Sequence, residues 1–264
     1  MNIPQFILKK SICGRTKELN KVQNPCYTIN KQEVAMFLYT KIKRHMGRKN
    51  SSPPSINQNA TTITSHELED LYRYADSKRI QLVGFKKYTG NIDAIKTMID
   101  NIAEIADDFP KVLIGRKRVA IRLYTNLLED NFATTTNSII NITNEVYNNI
   151  EALAEDYKKH ANNGEFVRGT DYHAIERHEM GHVIKYVYQI GRKKIISIAK
   201  DITGIDNESE LTEYLKNNLS RYSTEYANGE EIISEVFAAH YSNVNNEFAE
   251  KFFAKLKQEV AYET

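Results

Sequence analysis

The stretch YHAIERHEMGHVIKYVY, from Tyr172 to Tyr188, constrains the possible folds of this chain more than any other segment. Its apolar residues recur at the spacing of one helical face, so the stretch predicts an amphipathic helix. His178 and His182 are four residues apart and project from the same face, where two imidazoles can share one metal ion. A catalytic zinc at this position requires a third protein ligand and an open fourth position. The fold must therefore bring another segment of the chain to this face.

Glu179 directly follows the first histidine, which aims its carboxylate beside the metal rather than at it. In that position it can take a proton from a zinc-bound water, whose pKa the metal lowers to about 7. The spacing predicts His178 and His182 as metal ligands and Glu179 as the general base of a metallopeptidase. An ordinary amphipathic helix is the alternative interpretation, with both histidines at the surface and paired with Glu179 or Glu176.

The run NGEEIISEVFAAHY, which ends at Tyr241, supplies the candidates for the third ligand. Glu231 and Glu235 are four residues apart and share one helical face. We expect Glu231 to bind zinc and Glu235 to accept the second ring N–H of His178 or His182, which fixes the tautomer of that ring. The reverse assignment, with Glu235 on the metal, stays open.

Two tyrosines just upstream of this run are candidates for stabilising the oxyanion that forms during hydrolysis. Such help usually comes from a Tyr, His or Arg outside the ligand set. Tyr222 and Tyr226 both have a suitable position along the chain. The sequence does not choose between them.

Charge divides the chain into a basic arm and an acidic body. Residues 1–50 contain eleven Lys or Arg and two Glu, so 11 − 2 gives +9, and the total of +2 leaves 2 − 9 = −7 for the remainder. A partner of its own is expected for such an arm: nucleic acid, an anionic membrane surface or an acidic protein. The alternative is a solvated, loosely ordered leader. Cys13 and Cys26 are expected to be reduced thiols, as in a cytoplasmic protein.

The order of patterns along the chain predicts two regions and an α+β fold. Residues 31–48 have the apolar spacing of a helix, and the Ser-, Asn- and Pro-rich segment 50–64 is a linker. We therefore divide the chain into an N-terminal arm, 1–64, and a domain, 65–264. Within the domain, short segments rich in branched residues predict strands, and helical patterns precede and follow them. No segment is apolar for the roughly 18 residues of a membrane span, and we expect neither a span nor a secretory signal.

These motifs together resemble a known family. HExGH, a gap of 231 − 182 = 49 residues, then S-R-Y and E-x-x-x-E-x-F resemble the gluzincin metallopeptidases of the anthrax lethal factor-like catalytic domain family. That family is similar in turn to metallopeptidase-like domains of phage head-morphogenesis proteins and toxins. The resemblance covers roughly residues 90–260 and implies a zincin-like fold, mostly helical, with a small sheet beside the active-site helix.

The resemblance also implies a role for each matching residue. His178, His182 and Glu231 would bind Zn²⁺, Glu179 would be the catalytic base and Glu235 would support a ligand. An upstream tyrosine is implied as well: the S-R-Y match favours Tyr222, but its distance from Glu231 along the chain leaves Tyr226 open. A strand beside the cleft would pair with the substrate backbone. Segments 119–124 and 138–142 are the candidates for that strand.

The expected function is a zinc endopeptidase, cytoplasmic or phage-derived, that acts on another protein. Two other classes fit the same residues. One is a phage structural or assembly protein, associated with the virion, that keeps the zincin-like domain as a scaffold and uses its arm to contact nucleic acid or capsid. The other is a toxin effector domain delivered to another cell by a specialised secretion route, which needs no signal peptide.

Overall fold

The computed structural model describes residues 63–124, 132–225 and 229–261. The basic arm with its predicted helix over 31–48, the linker up to residue 62, both cysteines and Tyr226 lie outside the described residues. The predicted roles of the arm therefore stay predictions.

Helices dominate the described part of the chain, which also contains four short strands. The helices are α1 (Ser65–Ser77), α2 (Ile92–Asp108), α3 (Asn144–Tyr147), α4 (Ile150–Asn162), α5 (Ala174–Val187), α6 (Arg192–Thr203), α7 (Glu208–Asn218), α8 (Glu230–Tyr241) and α9 (Glu247–Ala261). The strands are β1 (Gln81–Val83), β2 (Ala120–Leu123), β3 (Thr134–Thr136) and β4 (Ile139–Ile142). Turns of 3-10 helix cover Phe85–Lys87, Pro110–Leu113, Gly115–Lys117 and Tyr222–Thr224. The predicted α+β class is confirmed at this level. None of the described helices combines the length and apolarity that crossing a membrane requires.

The strands form one sheet in the order β1-β2-β4-β3. β1, β2 and β4 are parallel, whereas β3 is antiparallel to β4 and pairs with it through Thr136 and Ile139 across a two-residue turn. The prediction that segment 119–124 or 138–142 pairs with the substrate backbone is wrong. These segments form β2 and β4, which lie inside the sheet and have a neighbouring strand on each side. The edge strand that reaches α5 is β3, where Thr135 Oγ1 lies 3.3 Å from the Glu179 carbonyl oxygen.

Local signals fix most helix ends. Asn91 caps α2 by accepting a hydrogen bond from the Ala94 N–H at 3.1 Å, and α2 ends at Asp108, before Pro110, as its sequence predicts. The helical pattern of residues 145–161 predicts a single helix, but two helices, α3 and α4, cover these residues. The Asn149 side chain accepts from the Ala152 N–H at 3.0 Å and starts α4 afresh after α3.

The hydrophobic core lies between the sheet and the central helices. Ile121 and Ile140 on neighbouring strands are fully buried, as are Met180, Val183 and Ile184 on α5. Burial of each such side chain contributes about 1.5–3 kcal/mol. α5 is thus a central element of the domain, and the later helix α8 packs along it.

Candidate metal centre

His178 and His182 on α5 meet Glu231 on α8. Glu231 Oε2 lies 3.1 Å from His178 Nε2 and 3.4 Å from His182 Nε2. The three candidate ligand atoms all lie within 4.8 Å of one another. The structure therefore brings together the three residues that the sequence predicts as ligands, although Glu231 follows His182 by 49 positions.

Both distances are close to the edge of a coordination tetrahedron, and the 3.1 Å distance is slightly shorter than that edge. Zinc bonds of about 2.0–2.2 Å place neighbouring ligand atoms about 3.3–3.6 Å apart when the geometry is tetrahedral. Glu231 Oε2 is buried and lies next to both imidazole nitrogens. A buried carboxylate oxygen that two imidazole nitrogens share fits a metal ligand. The set of two histidines and one glutamate matches catalytic zinc sites, which leave one position open.

Four carboxyl groups are buried in and next to the site. Glu176, Glu179, Glu231 and Glu235 are all buried. Within the described part of the chain, Oε2 of Glu179 and of Glu235 has no hydrogen-bond partner. Burying ionised carboxylates is costly unless a cation or hydrogen-bond donors compensate. A divalent cation at the His178–His182–Glu231 position would supply that compensation.

In the metal-free protein the histidines and glutamates compensate one another. Burial alone would lower the pKa of His178, but Glu231 and Glu235 outweigh it and hold that pKa well above 6.5. Burial alone would raise the pKa of Glu231, yet His178 and His182 lower it to about 2. At neutral pH the site therefore contains a protonated His178 beside an ionised Glu231, and a metal must displace that proton.

Glu235 contacts the other ring nitrogen of His178. Its Oε1 lies 2.8 Å from His178 Nδ1, one helical turn beyond Glu231 on α8. This contact keeps a proton on Nδ1, so Nε2, which faces Glu231, is the nitrogen that would lose its proton to a metal. The geometry thus matches the expected assignment, with Glu231 in the ligand group and Glu235 behind the ring.

Glu179 and Tyr222 complete the residues around the ligand group. Glu179 is 6 % exposed. Tyr222, in a 3-10 turn before α8, has its ring centroid 5.6 Å from that of His178. Its backbone N–H donates to the Glu165 carbonyl at 2.9 Å, which anchors the turn. The structure therefore places Tyr222 beside a candidate ligand, whereas Tyr226 lies outside the described residues.

A second group of buried and half-buried polar residues, which sequence reasoning missed, joins α5 to α2 and to the end of α8. Glu176 Oε1 accepts from Asn101 Nδ2 at 2.6 Å and lies 3.0 Å from His173 Nδ1. Arg177 donates to Asn101 Oδ1 at 3.2 Å and to Ser242 Oγ at 3.0 Å. The one sequence signal for this group is Arg177, directly before His178, because an apolar or small residue is more usual at that position.

The same contacts decide between the two interpretations of the helix. Glu176 pairs with Asn101 and His173, not with the histidines of the motif. His178 and His182 face Glu231 across the interface between two helices. They are therefore not surface residues paired along one ordinary amphipathic helix.

Comparisons with known proteins give no match: no protein-family model, no curated protein and no solved structure matches the chain.

Proposed function

We propose that the chain is a zinc-dependent endopeptidase of the gluzincin type. The observation that carries this proposal is the convergence of His178, His182 and Glu231, with Glu179 on the same helix as the two histidines. Two imidazoles and one carboxylate form a borderline-soft ligand set that suits zinc better than magnesium or calcium, which prefer oxygen ligands alone.

His178, His182 and Glu231 would hold the metal, and Glu235 would keep the His178 ring in the orientation that the metal needs. When bound, zinc would polarise the peptide carbonyl and make a water molecule acidic enough to act as the nucleophile.

Glu179 is assigned the proton transfers. Its Oε2 is buried and has no hydrogen-bond partner among the described residues, so it is available to accept a proton from the attacking water. The same carboxyl group would then pass that proton to the leaving amine. The Tyr222 hydroxyl is assigned to the oxyanion, because its ring lies against the ring of His178.

The free edge of the sheet supports a peptide as the substrate. β3 pairs with β4 on one side only in the described part of the chain, and Thr135 joins this strand to the carbonyl of Glu179. An extended peptide that added to this edge would run past the catalytic helix. The expected substrate is therefore an extended segment of another protein.

Metal analysis and a cleavage assay test the proposal together. Purified protein should contain about one zinc per chain and produce new termini in a mixture of unfolded proteins. Glu179→Gln should keep the zinc and lower the cleavage rate by about 100-fold to 10,000-fold. Glu213→Gln, at an exposed position on α7, is the matched control and should cleave normally.

Two results would overturn the proposal. One is a chain that takes up no zinc in equilibrium dialysis. The other is a chain that binds zinc and hydrolyses nothing in any mixture, which would favour the scaffold function instead.

A further inference from the structure

One surface, next to the C-terminal end of α5, combines exposed basic and apolar side chains that the proposed function does not use. It is formed by the segment PKVLIGRKR, residues 110–118, which we name the basic loop. The basic loop consists of two successive 3-10 turns, Pro110–Leu113 and Gly115–Lys117. It packs on the C-terminal half of α5, where the Lys111 N–H donates to the Tyr188 hydroxyl at 3.3 Å.

The tip of the basic loop exposes an aliphatic side chain. Ile114 is 63 % exposed, the largest value among the exposed large apolar residues of the described chain. Gly115 follows it with φ +68°, and a Cβ added there would meet no atom within 4 Å. The two residues at the junction of the turns therefore protrude into open space. An isolated exposed isoleucine is common on protein surfaces, so its surroundings decide its meaning.

Positive charge and tyrosine surround this tip. The basic loop contains Lys111, Arg116, Lys117 and Arg118 and no acidic residue. Lys117 Nζ lies 5.2 Å from the ring centroid of Tyr186, which is itself 39 % exposed. Within the described residues, Arg116 and Lys117 form no ion pair with a carboxylate. This local charge opposes the net charge of −7 that residues 51–264 carry together.

An anionic lipid surface fits all of these features at once. Lysine and arginine are attracted to anionic headgroups, tyrosine partitions to the headgroup level, and an aliphatic tip gains by entering the acyl boundary. The protruding shape matters too. A single protruding side chain offers a protein partner little area, and nucleic acid would use the cations but not the isoleucine.

We infer that the basic loop docks the domain on an anionic membrane surface, with Ile114 inserted at the boundary between headgroups and acyl chains. Arg116 and Lys117, which follow the tip in the chain, then face the headgroups. This inference is independent of the proposed zinc chemistry, since none of these residues belongs to the candidate metal centre. Its partner is a lipid bilayer rather than a peptide.

Vesicle binding by the full chain tests the inference. Wild-type protein should bind vesicles that contain phosphatidylserine and not vesicles of phosphatidylcholine alone. Arg116→Glu/Lys117→Glu should weaken the partition coefficient more than about 10-fold, and Ile114→Ser should weaken it about 10-fold. Lys158→Glu/Lys159→Glu on α4 makes the same charge change at exposed positions and should bind within about two-fold of wild type. The N-terminal arm is present in every variant, so a difference between variants in the partition coefficient reports on the substituted positions.

The absence of tryptophan from the sequence allows a direct test of insertion. Ile114→Trp supplies a single fluorophore at the tip, and its emission should shift to the blue on phosphatidylserine vesicles and be quenched by brominated acyl chains. Asn217→Trp, at an exposed position on α7, should show neither effect. Near-wild-type circular dichroism of each variant establishes that the fold is intact.

Three outcomes would overturn the inference. The first is a wild type that ignores anionic vesicles. The second is an equal loss of binding in the α4 control, which would mean attraction through net charge alone. The third combines two observations. The emission of the Ile114→Trp variant does not change on vesicles, and the charge variants lose binding to vesicles or to a DNA duplex. That result would indicate surface electrostatics or a nucleic-acid partner without insertion.

Discussion

Gly181 and Ser234 are in backbone contact at the centre of the interface between α5 and α8: a Cβ at position 181 would lie 2.5 Å from the Ser234 Cα and 3.0 Å from its N. His182 is the next residue after Gly181, and Glu231 precedes Ser234 by one helical turn. This contact therefore sets the separation between the two helices that supply the candidate ligands.

Gly181→Ala should push α8 away from α5 and weaken metal binding. Overpacking of this kind costs about 1–3 kcal/mol in unfolding free energy, and the Glu231 carboxylate would move away from both imidazoles. Urea unfolding of the metal-free protein and a zinc titration measure the two effects. Gly191→Ala is the control, because a Cβ at position 191 meets no atom within 4 Å. If Gly181→Ala kept the zinc affinity of wild type, as Gly191→Ala should, the contact between Gly181 and Ser234 would not determine the geometry of the metal site.

Glu235→Gln should lower zinc affinity without abolishing binding. The carboxylate that accepts from His178 Nδ1 would become a neutral amide, and losses at such supporting positions are about 10- to 100-fold. Glu231→Gln should remove measurable binding, because it alters a candidate ligand. Competition with a chromophoric chelator measures both constants. The opposite order of effects would assign Glu235 to the metal, the alternative that the sequence left open.

Zinc uptake should release about one proton near neutral pH, because the neutral imidazole of His178 is needed for binding. Burial opposes protonation of that ring, but Glu231 and Glu235 hold its pKa well above 6.5 in the metal-free protein. Zinc affinity should accordingly fall as the pH is lowered. Calorimetric titrations in buffers of different ionisation enthalpy report the number of protons released. An enthalpy that does not depend on the buffer would contradict this prediction.

Asn101→Ala should destabilise the domain by about 2–4 kcal/mol, because it leaves the buried Glu176 carboxylate and the half-buried Arg177 guanidinium without a shared partner. Asn101 donates to Glu176 and accepts from Arg177, and it is the residue of α2 that joins both. Asn217→Ala on exposed α7 serves as the comparison and should cost less than about 0.5 kcal/mol. Urea unfolding measures the loss of unfolding free energy in both variants. Equal losses would refute the stabilising role of Asn101.

Tyr222→Phe should lower kcat by about 100-fold while leaving KM and zinc content near wild type, if the hydroxyl stabilises the oxyanion. The ring contact with His178 is kept in phenylalanine, so a purely structural tyrosine would tolerate the change. The same substitution at Tyr226 is the parallel measurement. A large loss of kcat at position 226 alone would transfer the role to that residue.

Local sequence determined the elements that carry the site. The spacing of His178 and His182 on one helical face depends only on the periodicity of α5, and the caps and proline that bound α2 act within a few residues. Glu231 and Glu235 share a face for the same reason. These features were predicted correctly because each depends on interactions between residues that are neighbours in the chain.

Only the tertiary structure decided which helix faces pack against each other. The pairing of Glu231 with His178 and His182 depends on close packing at Gly181 and Ser234, and the hydrogen bonding that joins α5 to α2 depends on Asn101, which lies on another helix. The short edge strand β3 was missed because three residues are too few to show the alternating pattern of a strand, and its stability comes from pairing with β4. Interactions across such distances in sequence depend on packing that no local pattern encodes, whereas helical periodicity is present in the residues themselves.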